Sequence, residues 1–115
     1  MRDGRLVLAV FGADWCHDSR ALAGLLESER FAALLRANYE VVFIDAGVPQ
    51  SGEGRNLDLA EQLGVSGIEG TPTVIVIGRS GDTLNAGTAR SWRNVASRDP
   101  DDVYRELHRF AEGGA

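Results

Sequence analysis

Three short and uninterrupted apolar runs constrain the fold of this 115-residue chain more than any other feature. They cover Leu6 to Phe11, Val41 to Ile44 and Thr73 to Ile77. Apolar runs of this length, without a polar residue at every second position, are typical of strands that are covered on both faces, as in a sheet flanked by helices. The sequence therefore predicts an α/β fold in which these three runs are strands and the first two are buried.

Between the runs, apolar residues recur at helical spacing. Leucines predict a first helix from about His17 to Glu27, followed by a second helix with Ser28 as its N-cap and Asn38 as its stop. Further along, Asn56 is expected to cap a third helix, and Gly64 is expected to end it. A strand, helices and a strand in this order imply a parallel pair with a right-handed crossover.

The remaining segments are punctuated by turn and capping residues. The glycine-rich stretch Asp45 to Arg55 is expected to be a loop. Residues 79–82 predict a hairpin turn into a short strand at Thr83-Leu84. Asp99 and Pro100 predict the start of the last helix, because a capping acid and a proline in the first turn are both favoured there.

The chain has one cysteine, Cys16, where the first apolar run passes into the first helix. The unpaired N–H groups and partial positive charge of a helix N-terminus favour a thiolate over a thiol. A single cysteine excludes an internal disulfide and a multi-cysteine zinc site. The alternative is a small buried hydrophobic residue, but a cysteine next to a tryptophan at a helix start is not a typical packing position. Cys16 is therefore the candidate nucleophile.

Three segments carry a family resemblance. Trp15-Cys16-His17-Asp18-Ser19 resembles the Trp-Cys-x-x-Cys site of the thioredoxin family, with serine in place of the second cysteine. Gly70-Thr71-Pro72-Thr73-Val74 resembles the segment that this family places against the sulfur, with the proline in cis, and Asn56 to Val65 resembles the helix before it. The resemblance implies one thioredoxin-like domain over residues 1–115. It would have three layers and a mixed four-stranded sheet flanked by helices, without the extra N-terminal strand and helix of full thioredoxins.

Six residues form the candidate site that this resemblance implies. Cys16 would be the catalytic nucleophile, with Ser19 and His17 tuning its sulfur, and the substrate would be bound by Trp15, Thr71 and Pro72. A serine hydroxyl cannot attack a disulfide, so exchange stops at a mixed disulfide unless an outside thiol such as glutathione completes it. Thioredoxins carry a buried carboxylate six residues before the nucleophile, where this chain has Val10.

These features favour an enzyme, a thiol–disulfide oxidoreductase that works through one cysteine on mixed or glutathione disulfides. Three alternatives stay open. The chain could be a redox-inactive thioredoxin-fold module that binds proteins, or an iron–sulfur and glutathione-binding protein similar to monothiol glutaredoxins. It could also be a dithiol protein in which an engineered serine replaces the cysteine at position 19.

The composition limits the partners. A net charge of −5 does not favour binding to nucleic acid or to an anionic membrane, and no apolar segment approaches the length of a membrane span. We expect a monomer in the cytoplasm that acts on protein thiols and disulfides. We expect no metal and no tightly bound cofactor, with glutathione as a candidate co-substrate.

One segment has two interpretations. Residues 86–98 contain Trp92 and three arginines without an acidic residue. The segment could bind an anion or a partner, since arginine pairs well with carboxylates. Alternatively, Trp92 could pin a surface loop onto the core.

Overall fold

The computed structural model describes residues 5–12, 17–48, 53–54, 56–65 and 72–113. The described elements are strand β1 (Leu6–Gly12), helices α1 (His17–Leu26) and α2 (Glu29–Asn38), strands β2 (Tyr39–Asp45), β3 (Gly47–Val48) and β4 (Glu53–Gly54), helix α3 (Leu57–Gln62), strand β5 (Thr73–Ile77), a 3-10 helix (Ala89–Ser97) and helix α4 (Pro100–Gly113). This order confirms the predicted α/β alternation.

The main sheet has the strand order β2-β1-β5, which makes β1 its central strand. β1 runs parallel to β2, with Leu6 level with Tyr39, which confirms the predicted parallel pair. β1 runs antiparallel to β5, with Phe11 level with Thr73. The sheet is therefore mixed, as the family resemblance implied.

Alternate side chains of β1 enter two apolar clusters, one on each face of the sheet. Leu6, Leu8 and Val10 belong to the cluster that includes buried residues of α1, α2, α4 and the 3-10 helix. Ala9 and Phe11 belong to the second cluster, which includes Ala60 of α3 and Val65 beyond it. Apolar layers on both faces explain why β1 has no polar residue. No helix in the described part of the chain is both long enough and apolar enough to cross a membrane.

The prediction that Val41 to Ile44 is a fully buried strand is wrong. β2 lies at the edge of the described sheet, where Val42 is 41% exposed and Phe43 is 62% exposed. Adjacent strand residues point to opposite faces, so both faces of the edge strand are open at this point. An apolar run predicts a strand, but it does not tell an edge strand from a central one.

The predicted fourth strand is also corrected. The turn at residues 79–82 is present, and Gly78 N donates to Asp82 O at 2.8 Å across it. Beyond the turn, however, Thr83 makes only an isolated bridge to Ile77. The described main sheet therefore has three strands rather than four. A second small sheet, formed by β3 and β4, lies inside the stretch that was expected to be a loop.

Two residues that were expected to cap helices make other hydrogen bonds instead. Ser28 precedes α2, but its hydroxyl makes no capping hydrogen bond and donates instead to Leu25 O at 2.6 Å, at the end of α1. Asn56 precedes α3 with a left-handed φ of 59°. Its side chain also makes no cap, and its Nδ2 donates to Asp45 O at 2.7 Å. Asn56 therefore ties the start of α3 to the end of β2.

Two other helix boundaries follow the prediction. Gly64 has a φ of +88°, and the N–H of Val65 donates to Ala60 O at 3.0 Å, which is the Schellman arrangement that ends α3. At the start of α4, Asp99 Oδ1 accepts from the N–H of Asp101 at 2.9 Å. Both boundaries depend on residues close in sequence, which explains why they are predictable.

Candidate functional site

The candidate site begins where β1 ends. Gly12 is the last residue of this central strand and lies level with Asp45 of β2, and its carbonyl accepts from the N–H of Ala46 at 3.0 Å. α1 begins five residues later, at His17. The strand and the helix expected on either side of the cysteine are both present. Trp15 and Cys16 themselves lie outside the described residues.

A proline reaches the same end of the sheet from β5. Phe11 is level with Thr73 in the antiparallel pair, so Pro72 is one residue beyond the last paired position, as Gly12 is on β1. Pro72 is buried, and Thr73 is 1% exposed. The register therefore brings residues 12 and 72 to one end of the sheet. Thr71 lies outside the described residues, and the cis form of its bond to Pro72 stays a prediction.

Ser19, the third residue of α1, packs against the end of β1. A Cβ built on Gly12 would lie 2.9 Å from Ser19 Oγ and 3.3 Å from Ser19 Cβ. Real Cβ atoms essentially never approach another heavy atom to less than 3.0 Å. The hydroxyl of Ser19 therefore occupies space that only a glycine at position 12 leaves open.

His17 opens α1, but its side chain belongs to the part that the structure does not describe. Its predicted effect on the sulfur stays a prediction. What the structure does provide is a ten-residue helix directly after the cysteine position. The first N–H groups of such a helix carry partial positive charge that stabilises a nearby anion.

Val10 is buried in an apolar environment. It is 2% exposed and lies level with Phe43 on one side and with Val74 on the other. This position offers no carboxylate that could accept or deliver a proton. Among the described residues, no group of three histidine, cysteine, aspartate or glutamate side chains could hold a metal ion.

Residues 86–98 form the 3-10 helix and its approach, and Trp92 is completely buried in the core. The guanidinium of Arg98 stacks over the Trp92 ring, 5.0 Å from its centroid, and pairs with Glu106 Oε1 at 2.9 Å. This geometry favours the interpretation of Trp92 as a pin. The charge of Arg98 is matched within the protein, and Arg98 covers the tryptophan ring.

The sequence prediction missed Gly12, the residue that directly follows the first apolar run. The sequence did contain a signal, because the residue at the end of this apolar strand is a glycine. A glycine at the end of a strand often marks a close approach by another group. The partner of that close approach, Ser19, becomes visible only when α1 is placed on the sheet.

Two solved structures are similar to this chain, while no protein-family model and no curated protein matches it. The crystal structure of a disulphide isomerase from Xylella fastidiosa Temecula1 is 29% identical, with a TM-score of 0.75 over 95% of this chain and 80% of that one. The solution structure of a thioredoxin from Thermus thermophilus is 23% identical, with a TM-score of 0.59 over 92% and 73%. The second likeness concerns the fold alone. Together they confirm the predicted fold, apart from the number of strands.

Proposed function

From the thioredoxin-like fold of this chain we infer that it is a thiol–disulfide oxidoreductase that works through Cys16. One observation carries this proposal. The sheet register brings Gly12 and Pro72 to the same end of the central strand, and Ser19 packs there as well. The four residues between β1 and α1, which include Cys16, start from this place. The likeness to a disulphide isomerase agrees with a redox function.

The proposed reaction has two exchanges. The Cys16 thiolate attacks one sulfur of a substrate disulfide, and the substrate S–S bond breaks as the new S–S bond forms. The departing substrate thiolate takes up a proton from water. In the second exchange an external thiolate of the glutathione class attacks the substrate sulfur of the mixed disulfide, so that a disulfide between the external thiol and that sulfur forms as the bond to Cys16 breaks and the Cys16 thiolate is released. The external thiol supplies the electrons, and glutathione is a co-substrate rather than a bound cofactor.

The environment of the site supports a single-thiol reaction. A serine at position 19 cannot take the place of the external thiol, because a hydroxyl does not attack a disulfide. The apolar surroundings of Val10 provide no proton acceptor for a second thiol. The chain lacks both a cysteine at position 19 and a carboxylate at position 10. The two absences agree with each other, because the carboxylate would transfer protons only for that cysteine.

The other site residues have supporting roles in this proposal. The N-terminus of α1, the Ser19 hydroxyl and His17 would stabilise the thiolate. Trp15 would contact the substrate. Thr71 would offer its backbone beside the sulfur, so that an extended protein segment could pair with it as an added strand. Pro72 would fix the direction of that backbone.

The test is turnover of a glutathionylated peptide in the presence of reduced glutathione. We expect a rate well above the reaction of glutathione alone, and we expect Cys16→Ser to reduce it to that background. Ser80→Ala is a suitable control, because Ser80 is exposed in the turn after β5, at the other end of that strand. A wild-type rate equal to the background would contradict the proposal.

A protein-binding module without turnover is the second candidate, and the serine at position 19 favours it. A mixed disulfide that no thiol releases would prolong the binding of a segment that the protein already recognises without the sulfur. This candidate expects partners that remain bound to Cys16→Ala in a pull-down. Loss of every partner in that variant would count against it.

A further inference from the structure

The backbone conformation at position 12 does not explain why this residue is a glycine. Among the described glycines, positive φ angles occur at Gly47, Gly64 and Gly81, and Gly12 is not one of them. A glycine inside a regular strand weakens the strand, because it has no side chain to pack and loses more entropy on folding. Its presence at the last position of β1 therefore indicates a need for space rather than for backbone freedom.

The space is filled by a hydroxyl. A Cβ at position 12 would lie 2.9 Å from Ser19 Oγ, closer than Cβ atoms approach non-bonded atoms, and 3.3 Å from Ser19 Cβ. Rotation of the serine χ1 angle to another staggered position would relieve the first contact. The second contact requires a small shift of α1. A methyl group at position 12 would therefore change the direction of the Ser19 hydroxyl before it changed anything else.

The direction of the Ser19 hydroxyl bears on the reactivity of Cys16, the proposed nucleophile. Ser19 follows Cys16 by three residues in the sequence, the spacing at which side chains share a face when both residues belong to a helix. We propose that Gly12 is a positioning residue of the reaction, which leaves the space that holds the Ser19 hydroxyl in the orientation that serves the sulfur. The proposal rests on the proposed function of Cys16. It assigns to Gly12 an effect that acts only through Ser19.

The experiment compares Gly12→Ala with Gly24→Ala. Gly24 lies in α1, and a Cβ there would meet nothing within 4 Å, so it controls for the same substitution without the contact. Two quantities are measured: the three-bond Hα–Hβ couplings of Ser19, which report its χ1 angle, and the iodoacetamide rate of Cys16 against pH. We expect Gly12→Ala to change the couplings and to lower the alkylation rate at neutral pH roughly three- to tenfold, as for a thiol pKa raised by up to about one unit. We expect Gly24→Ala to change neither.

Ser19→Ala separates a positioning role from a general structural one. It should lower the alkylation rate by itself, and Gly12→Ala should add little in its presence, because no hydroxyl is left to misdirect. Unchanged Ser19 couplings in Gly12→Ala would overturn the proposal. An equal loss of rate from Gly12→Ala with and without the hydroxyl would also overturn it.

The same data distinguish failure of this proposal from failure of the proposed function. If the alkylation rate of wild-type Cys16 depends on pH as that of a free thiol does, Cys16 is not activated. That result would refute the proposed function and the catalytic part of this proposal. The Ser19 couplings would still show whether Gly12 sets the hydroxyl direction. If Gly12→Ala does not fold, the double variant Gly12→Ala/Ser19→Gly decides. Recovery of folding supports the contact, and failure to recover refutes it.

Discussion

The side chain of Asn85 bonds to the backbone of Val76 as a neighbouring strand would, with Oδ1 accepting from Val76 N–H at 2.8 Å. Its Nδ2 donates to Val74 O, also at 2.8 Å, and the residue is 4% exposed. Leu84 N–H adds a bond to Val76 O. One amide side chain therefore satisfies the edge of β5 in the place where a fourth strand was expected.

Replacement of Asn85 by leucine should destabilise the protein strongly. The substitution leaves the Val76 N–H and the Val74 carbonyl buried without partners, and each such group costs about 1–3 kcal/mol. We expect a loss of about 2–4 kcal/mol in the free energy of unfolding, measured by urea titration with fluorescence detection. Asn38→Ala is the control, since Asn38 makes one part-buried bond, to Leu34 O. A loss no larger than that of the control would contradict this role of Asn85.

Two glycine-to-alanine substitutions should have opposite signs. A Cβ at Gly24 and a Cβ at Gly64 would each meet nothing within 4 Å, but Gly64 has a φ of +88°. Alanine is favoured over glycine inside a helix by about 0.5–1 kcal/mol, so Gly24→Ala should stabilise the protein by that amount. Gly64→Ala should destabilise it by about 1 kcal/mol, because a left-handed conformation is unfavourable for alanine. Thermal unfolding measures both, and a change of the same sign in both variants would refute this explanation.

Tyr39 should make the folded protein sensitive to alkaline pH. Burial raises the pKa of the Tyr39 phenol above its ordinary value, while the charge of Arg79 opposes this rise and that of Glu106 adds to it. The folded protein keeps the phenolic proton at a pH where the unfolded chain releases it. The contribution of Tyr39 to the free energy of unfolding is therefore fully present below about pH 10, and it falls as the pH rises further.

The variant Tyr39→Phe isolates this effect. It removes the hydrogen bond from the Tyr39 hydroxyl to Leu107 O, 2.7 Å, which should lower stability at pH 7 by about 0.5–1.5 kcal/mol. Above pH 10, its free energy of unfolding should decline less steeply than that of the wild type, by up to about 1.4 kcal/mol per pH unit. Chemical unfolding at several pH values measures the slope. Parallel slopes for the two proteins would exclude the proposed cause.

Ser19→Cys should restore an internal resolving thiol. After reaction with glutathione disulfide, the wild type should remain as a stable mixed disulfide with glutathione. In Ser19→Cys, the new thiolate should attack that mixed disulfide, release glutathione and leave an internal disulfide. Intact-mass spectrometry distinguishes the two products. Ser80→Cys places the added thiol in the turn after β5 and should retain glutathione. Retention of glutathione by Ser19→Cys as well would show that position 19 does not reach the sulfur.

The sequence predicted the elements that local patterns determine. The apolar runs gave β1 and β5 almost to the residue, and Gly64 and Asp99 gave two helix boundaries, because each signal involves neighbours in the chain. It failed where a side chain bonds across the fold. Ser28 and Asn56 have the residue types of N-caps, yet both bond to carbonyls of another element.

The candidate site was predictable in part. The order of strand, helix and proline segment was enough to expect Ser19 and Pro72 near the end of the first strand, and both lie there, whereas the close contact at Gly12 was not expected. The exposure of Phe43 was not predictable, because it depends on β2 lying at the sheet edge. The roles of Trp15, Cys16 and Thr71 stay predictions, since these residues lie outside the described part of the chain.

The connectivity of the sheet has a consequence during synthesis. Val7 of the central strand is paired with Ile77, about 70 residues further along the chain. At a ribosomal rate of roughly 5–20 residues per second, β1 is synthesised about 4–14 s before its antiparallel neighbour. During that interval an all-apolar strand has no partner on one side. We expect nascent chains to require shielding by a chaperone until translation has passed β5.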